Sequence, residues 1–192
     1  VDNFSTDGTR DILSGVQAQE VKVIFHPRNL GRGTSVRTAL QHCTGDYALT
    51  QGADLEYDPR DYAALVRPIE EGRAAVVYGS RFRGGPTKTM FFLHMVGNKF
   101  LTLVTNVLYN TILSDMETCY KVFRSDVLRD LPLRQDRFGF EPEITAKIAR
   151  RGHRVTEVPI SYDARGWEEG KKIGVKDGIN AFYCIVRYRW RD

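Results

Sequence analysis

The chain has 192 residues, of which 42% are hydrophobic and 27% charged, and its formal net charge is +4. This length and balance exclude a disordered or fibrous protein and predict one globular domain with its own core. No window reaches the roughly 18 uncharged apolar residues of a membrane span. The positive charge favours anionic partners such as nucleotides, phospholipid surfaces or nucleic acid.

Short apolar or β-branched runs alternate with helix signals along the chain. Such alternation predicts an α/β fold, with a largely parallel sheet and helices on both faces. The predicted helices are Ser5–Val16, Gly33–His42, Pro59–Gly72 and Glu141–Arg151, and the predicted strands are Val21–Phe25, Tyr47–Thr50, Ala74–Tyr78 and Val155–Ile160.

The apolar segment at residues 86–113 is interrupted by polar residues and predicts one or two amphipathic helices. Two interpretations stay open. The apolar stripe can pack into the core, or the helix can lie in a bilayer interface, because Lys88, Lys99, Phe91 and Phe92 fit that geometry. A charged, glycine-containing stretch at 163–176 predicts a mobile functional loop.

The cysteines and histidines show no metal-ligand spacing. Three cysteines far apart in the chain predict reduced, mostly buried thiols and a cytosolic setting. Metal sites need clustered donors, so the scattered histidines are interpreted as surface or core residues. These residues are Cys43, Cys119 and Cys184, and His26, His42, His94 and His153.

Acidic residues follow a predicted strand in the stretch GDYALTQGADLEYDP, residues 45–59. Asp54 and Glu56 lie just beyond the apolar run. Ligands gather at the carboxyl ends of strands in α/β sheets, so these carboxylates can hold a metal ion and a diphosphate. This stretch predicts an enzyme site.

Three further motifs have both a structural and a functional interpretation. DNFSTDGT, from Asp2, caps a helix or borders a ligand. NLGRG, from Asn29, is a glycine-rich turn that can approach a phosphate, although the motif alone is weak. In GSRFR, Arg81 and Arg83 follow a strand and suit phosphate oxygens, or they form a solvated pair.

The order of the motifs makes the chain resemble a known family. VDNFSTDGT, NLGRG, GDYALTQGADLEYDP, YGSRF, SDMETCYKVFR, FGFEPEITAKIARRGHRVTEVPISYDAR and EGKKIGVKDGI together resemble the family 2 glycosyltransferases. Within that family, the chain is similar to the polyprenyl-phosphate glycosyltransferases of the dolichol-phosphate mannosyltransferase type. The resemblance spans nearly the whole chain and is specific as an ordered set.

The resemblance implies a single GT-A domain over residues 1–192, with a Rossmann-like, mostly parallel sheet that binds a nucleotide and a divalent cation, Mg²⁺ or Mn²⁺, at an Asp-x-Asp motif. It implies inverting transfer of a sugar from GDP-mannose or a UDP-hexose to a dolichyl or undecaprenyl phosphate. It also places the protein in the cytoplasm, peripheral at the cytoplasmic membrane face, where the segment at 86–113 and the tail Arg187–Arg191 offer apolar and basic contacts.

The resemblance also implies roles for single residues. Asp115 matches an acidic residue near the reacting centre, where it can act as a base, orient a cation or the acceptor, or simply cap a helix. The other expected roles are Asp2 and Asn3 near the base and ribose, Asp54 and Glu56 on the metal, Arg81 at the donor or acceptor phosphate, and Lys171 and Lys172 in a loop over the donor phosphates.

Three departures from the family pattern matter. Gly52 stands where the metal motif has its first aspartate, and Asn3-Phe4 stands where Asp-Gly is usual. The family's first strand is absent, so the chain is expected to lack an amino-terminal part. Two alternatives therefore stay open: a soluble transferase acting on a saccharide or protein hydroxyl, and a catalytically silent nucleotide-sugar-binding module. A nucleic-acid module is disfavoured, because basic residues alternate with acidic ones.

Overall fold

A four-stranded sheet forms the centre of the computed structural model, which describes residues 1–87, 91–129, 131–165 and 174–191. The strands are β1 (Tyr47–Leu49), β2 (Val76–Ser80), β3 (Lys121–Arg124) and β4 (Val155–Pro159). The helices are α1 (Thr9–Ser14), α2 (Arg32–Leu40), α3 (Tyr62–Glu70, preceded by the 3₁₀ turn Pro59–Asp61), α4 (Phe92–Tyr109), α5 (Ser125–Leu128), α6 (Phe140–Arg150) and α7 (Val175–Trp190).

The strand order in this sheet is β1-β3-β2-β4. β2 and β4 are parallel, with Val76 opposite Val155 and Ser80 opposite Pro159. β3 runs antiparallel to both β1 and β2. Among the strands that the structure describes, β1, β2 and β4 therefore share one direction and β3 alone is reversed. The mostly parallel α/β sheet predicted from the sequence is confirmed in this form.

β2 is buried along its whole length because helices cover both faces of the sheet. Side chains alternate along a strand, so Val77 points to one face and Val76 and Tyr78 point to the other. Val77 packs with Leu65 of α3, whereas Val76 and Tyr78 pack with Phe140 of α6. Burial of each such side chain contributes about 1.5–3 kcal/mol to the free energy of unfolding. The prediction of helices on both faces is confirmed.

The predicted strand Val21–Phe25 is wrong, although its β-branched residues favour extended structure. Only Phe25 forms a bridge, in the parallel sense, with Asp2. The Asp2 amide donates to the Ile24 carbonyl at 2.8 Å, and the His26 amide donates to the Asp2 carbonyl at 2.9 Å. A strand needs a neighbouring backbone of matching length. Within the described ranges, this segment finds that neighbour only at Asp2.

The other predicted helices and strands are confirmed with bounds that differ by a few residues. β3, α5 and α7 were not predicted from the sequence. β3 was missed because its two apolar residues, Val122 and Phe123, stand between Lys121 and Arg124 and form no recognisable run. Most of the predicted loop at 163–176 lies outside the described residues, and its last two residues begin α7.

α4 is a single helix inside the predicted segment 86–113. Three apolar side chains of its inner face, Leu101, Val104 and Leu108, are half-buried and pack against the core beneath α4. Its polar side chains bond to the loop that follows it. Asn106 Nδ2 donates to the Leu113 carbonyl at 2.8 Å, and Thr102 Oγ1 accepts from the Met116 amide at 3.1 Å. The apolar side chains on the other face are exposed, namely Phe92, Val96, Phe100, Leu103 and Val107.

α7 lies beside α4 and extends this exposed apolar face. The rings of Phe100 and Phe182 stack with centroids 6.1 Å apart, while Ile185 of α7 is buried against Leu113 and Met116. No helix in the described part of the chain is long and apolar enough to cross a bilayer. We call the exposed residues Phe92, Val96, Phe100, Leu103, Val107, Ile179 and Phe182 the α4–α7 surface.

The three cysteines are free thiols, as predicted, but they differ in burial. Cys184 is buried in α7, and Cys119 is half-buried. Cys43 is exposed in the turn after α2, where its thiol donates to the Ala39 carbonyl at 3.4 Å. The prediction of mostly buried thiols is therefore wrong for Cys43, because the end of α2 faces solvent.

The glycines of the turn before α2 pack against the protein's own backbone. A Cβ at Gly31 would lie 2.2 Å from the Asp136 carbonyl oxygen, and a Cβ at Gly33 would lie 2.1 Å from that of Gln135. Gly31 also has a φ of 89°, which disfavours other residues. The Thr34 amide donates to the Asp136 carbonyl at 3.2 Å. Close packing accounts for these glycines.

We expect Gly33→Ala to lower the free energy of unfolding by about 1–3 kcal/mol, since the added methyl group overlaps backbone that cannot move aside. Gly97→Ala is the matched control, because a Cβ at this α4 position meets no atom within 4 Å; it should raise stability by about 0.5–1 kcal/mol. Urea unfolding followed by circular dichroism measures both. Equal effects of the two substitutions would contradict the packing described here.

Candidate active site

The two carboxylates predicted to bind a metal ion lie together in the loop after β1. Arg165, from the segment after β4, contacts both of them. Its Nη2 is 3.0 Å from Asp54 Oδ2, and its Nε is 3.2 Å from Glu56 Oε1. Asp54 Oδ1 also accepts from the Glu56 amide at 3.4 Å. The structure therefore places Asp54 and Glu56 around a shared positive charge.

Gly52 lies directly beside Asp54. A Cβ at position 52 would be 3.2 Å from Asp54 Oδ1, so a carboxylate there would join the same group. The described residues contain no cluster of three or more His, Cys, Asp or Glu side chains that could hold a metal ion. Magnesium sites often use one or two carboxylates, with phosphate and water completing the coordination. Asp54 and Glu56 fit such a site.

The two predicted catalytic residues, Arg81 and Asp115, bind each other. Arg81 Nε donates to Asp115 Oδ2 at 2.7 Å, and Arg81 Nη2 donates to Asp115 Oδ1 at 2.8 Å. The Arg81 amide adds a third bond to Oδ2 at 3.1 Å. The Asp115 side chain is fully buried and that of Arg81 is 10% exposed. The sequence predicted each residue near the reacting centre but not this bidentate contact.

Both members of this pair remain ionised. Burial alone would raise the pKa of Asp115, but the charge and hydrogen bonds of Arg81 outweigh it and hold the pKa below its usual value. Burial also opposes the charge on Arg81, and the carboxylate of Asp115 reverses that effect, so the pKa of Arg81 lies well above its usual value. Asp115 is thus a weak proton acceptor.

Glu157 of β4 holds the loop that carries Asp115. Its Oε1 accepts from the amides of Ser114 at 2.9 Å and Asp115 at 3.1 Å, and its Oε2 accepts from Ser114 Oγ at 2.9 Å and Arg83 Nε at 3.0 Å. Asn98 of α4 donates to Asp115 Oδ1 at 3.1 Å. Residues from three separate segments, the segment after β2, α4 and β4, therefore meet at this loop.

Tyr162 lies between the two ionic groups. The guanidinium carbon of Arg81 is 5.1 Å from the centroid of its ring, and the ring of Tyr57 lies 5.2 Å away on an edge. Burial raises the pKa of Tyr162 to about 12, with opposing effects of Arg81 and Glu56. Arg81 and Glu56, one from each ionic group, therefore both act on Tyr162.

Two further ionisable residues, the half-buried Glu117 and the buried Lys121, lie in the same stretch and were not predicted. Burial raises the pKa of Glu117, and burial lowers that of Lys121. Lys121 Nζ donates to the carbonyls of Met116 at 2.8 Å and Thr118 at 2.5 Å. Within the described residues, Glu117 Oε1 is buried and has no hydrogen-bond partner.

Asp2 and Asn3, expected near the base and ribose, form hydrogen bonds and an ion pair with other residues of the chain. The Asp2 carboxylate accepts from the Ser5 amide at 3.2 Å and lies 3.3 Å from Arg10 Nη1. Asn3 Oδ1 accepts from the Leu30 amide at 2.9 Å. Nucleotide contacts of Asp2 and Asn3 stay predictions. The expected phosphate-binding residues Lys171 and Lys172 lie outside the described residues.

The comparison with known proteins decides the family. Residues 1–132 match the family described as Glycosyl transferase family 2. The chain belongs to this family. It is 30% identical over 86% of its length to Glycosyltransferase AglJ of Haloferax volcanii, covering 53% of that protein. It is 27% identical over 87% of its length to UDP-N-acetylglucosamine–dolichyl-phosphate N-acetylglucosaminyltransferase of Methanococcus voltae, covering 69% of it.

A solved structure confirms the GT-A fold. Glucosyl-3-phosphoglycerate synthase of Mycobacterium tuberculosis, in complex with Mn²⁺ and UDP-glucose, superposes with a TM-score of 0.68 at 17% identity, covering all of this chain and 67% of that one. The resemblance to the polyprenyl-phosphate type is confirmed by the relatives. The chain is thus a glycosyltransferase domain that spans about half the length of relatives such as AglJ.

We expect Asp115→Asn to lower the free energy of unfolding at pH 7 by about 3–5 kcal/mol, because Arg81 would remain buried without a counter-charge. The folded pKa of Asp115 lies below the unfolded value of about 3.9. Its stabilisation is therefore complete above that value and lost as the pH falls through the folded pKa. Urea unfolding at pH 7 and pH 3 should show a smaller difference between variant and wild type at pH 3.

The control is Asp126→Asn, which removes an exposed partner of Arg124 and should leave stability almost unchanged at both pH values. If Asp115→Asn behaved like this control at pH 7, the buried pair would not be a stabilising element.

Proposed function

We propose that this chain transfers a sugar, with inversion, from a nucleotide-sugar to a polyprenyl phosphate such as dolichyl or undecaprenyl phosphate. The observation that carries the proposal is the position of Tyr162 beside both ionic groups. Arg81, which pairs with Asp115, lies 5.1 Å from the centroid of the Tyr162 ring, and Tyr57, next to Glu56, forms a backbone bridge with Tyr162. Relatives support the acceptor class, since one is named as a dolichyl-phosphate transferase and another, from Edwardsiella ictaluri, as an undecaprenyl-phosphate transferase.

The reaction needs charge neutralisation more than a base. An acceptor phosphate with a second pKa of about 6 is already an anion at neutral pH. Its oxygen forms a bond to the anomeric carbon while the bond to the diphosphate breaks, and the nucleoside diphosphate leaves with that electron pair. Asp54 and Glu56 would hold Mg²⁺ or Mn²⁺, and such an ion would neutralise charge on the leaving group.

Asp115 acts as a positioning residue in this proposal. Its carboxylate is ionised, buried and fully engaged by Arg81 and Asn98. It therefore orients the guanidinium of Arg81, whose remaining donors would bind an incoming phosphate. Of the roles left open by the sequence, orientation of a cationic residue agrees best with these contacts.

Attachment to the cytoplasmic membrane face completes the proposal. The α4–α7 surface exposes large apolar side chains to solvent, with Phe92 70% and Val107 72% exposed. Exposed apolar patches of this kind mark interaction surfaces. Arg187, Arg189 and Trp190 at the end of α7 supply the basic and aromatic residues that favour an anionic lipid interface.

One observation favours an alternative function. Gly52 leaves the metal motif one carboxylate short, as expected of a silent nucleotide-sugar-binding module. Restoring that carboxylate separates the two possibilities.

We expect one of the two nucleotides, GDP or UDP, to bind in isothermal titration, and we expect this binding to require Mn²⁺. Gly52→Asp should then tighten Mn²⁺ binding by roughly tenfold or more, a difference of about 1.4 kcal/mol, because its carboxylate would start beside Asp54 Oδ1. A gain in metal-dependent sugar transfer to a polyprenyl phosphate would then mark this chain as a weakened enzyme.

Gly52→Asn is the matched control, since it has the same shape without the negative charge. Silence with both nucleotides, in the wild type and in Gly52→Asp, would contradict a donor site in this chain. Transfer to a saccharide hydroxyl but not to a lipid phosphate would favour the soluble transferase.

We expect the chain to float with liposomes that contain phosphatidylglycerol. Replacing Phe92 and Leu103 together by serine should weaken this binding more than tenfold, because each buried apolar side chain contributes about 1.5–3 kcal/mol. Ile12→Ser is the control, as Ile12 is an equally exposed apolar residue on α1, away from the α4–α7 surface. A wild-type chain that stays wholly in the soluble fraction would contradict membrane attachment.

A further inference from the structure

Backbone contacts fix Arg165 next to the loop that carries Asp54 and Glu56. Tyr57 and Tyr162 form an antiparallel bridge, and the Asp163 amide donates to the Glu56 carbonyl at 2.9 Å. The Arg165 amide itself donates to Glu56 Oε1 at 3.3 Å. The side chain of Arg165 therefore starts from a defined position beside the two carboxylates.

The guanidinium of Arg165 occupies the space between those carboxylates. It contacts Asp54 Oδ2 at 3.0 Å and Glu56 Oε1 at 3.2 Å, and the Arg165 side chain is 33% exposed. Burial alone would lower the pKa of Arg165, but the Glu56 carboxylate, which accepts a hydrogen bond, and the charge of Asp54 raise it. Two carboxylates and one guanidinium leave this group with a net charge of −1.

We propose that Arg165 is the counter-ion of Asp54 and Glu56 in the free protein, and that a divalent cation must displace it to bind them. The proposal rests on the proposed function, which assigns the metal ion to these carboxylates. Cation and guanidinium compete because both need the same oxygens. Gly52 makes the competition effective, since no third carboxylate adds to the attraction for the metal ion.

Displacement also couples metal binding to nucleotide binding. A guanidinium released from Asp54 and Glu56 presents its planar set of donors, which suits diphosphate oxygens. A bound diphosphate would therefore stabilise the displaced arginine, and so favour the metal-bound state. By linkage, the nucleotide must raise metal affinity by the same factor as the metal ion raises nucleotide affinity.

The test is Mn²⁺ binding to the whole chain without nucleotide, measured by isothermal titration and by the electron paramagnetic resonance signal of free Mn²⁺. We expect Arg165→Gln to bind Mn²⁺ roughly 3- to 30-fold more tightly than the wild type, the combined effect of two partly exposed ion pairs. Added GDP or UDP should then strengthen Mn²⁺ binding less in the variant than in the wild type.

Arg60→Gln is the matched control. Arg60 is 91% exposed and pairs with Asp58, two residues from Glu56, without contacting Asp54 or Glu56. The Arg60→Gln variant removes the same charge from the same region, and it should change Mn²⁺ affinity less than Arg165→Gln does. Equal gains in Mn²⁺ affinity in the two variants would mean that removing any nearby positive charge has this effect. That result would overturn the proposal.

Equal or weaker Mn²⁺ binding by Arg165→Gln would overturn the proposal while leaving the metal site intact. Absence of Mn²⁺ binding in the wild type, Arg165→Gln and Gly52→Asp alike would instead refute the metal site itself, and the proposal with it. A second measurement avoids any folding defect of the variant. The ¹H–¹⁵N signal of Arg165 Nε, assigned by its loss in Arg165→Lys, should shift in the wild type when Mg²⁺ is added, and an unchanged signal would overturn the proposal.

Discussion

The buried ion pair between Arg81 and Asp115 is the contact on which the geometry of the site depends. It joins the end of β2 to the loop before β3, and Glu157 of β4 holds that loop through its amides. An ion pair removed from water is stable only while both charges and their hydrogen bonds are satisfied, because a lone buried charge is very costly. Two strands and one loop are therefore fixed relative to each other by one set of carboxylate contacts.

Polar residues of α4 connect this set of contacts to the molecular surface. Asn98 donates to the Asp115 carboxylate, and Lys99 Nζ donates to the Ser114 carbonyl at 3.1 Å. These polar residues satisfy the loop that carries Asp115, whereas large apolar residues of α4 such as Phe92 and Val107 are exposed on the outside. A partner that covers the α4–α7 surface would thus bind the same helix that helps to orient Asp115.

The sequence predicted the fold class and the positions of the acidic motifs, because these depend on local patterns. Alternating runs indicated the sheet, and the end of β1 indicated Asp54 and Glu56. The contacts between motifs were not predictable in this way, since Arg81 and Asp115 are 34 residues apart. Glu157 and Arg165 were missed inside a motif that was recognised. A charged residue within the strand pattern of Val155–Ile160 was the available signal for Glu157, because a buried charge requires partners.

The number of residues between the two partners of each contact affects how the site assembles. Asn106 and Leu113 are 7 residues apart, and Asn98 and Asp115 are 17 apart, whereas Glu157 reaches Asp115 across 42 residues. Loop-closure entropy rises with the length of chain enclosed. α4 and the loop after it therefore form the part of the site with the smallest entropic cost of closure, whereas the contacts of Arg81 and Glu157 with Asp115 close much longer stretches of chain.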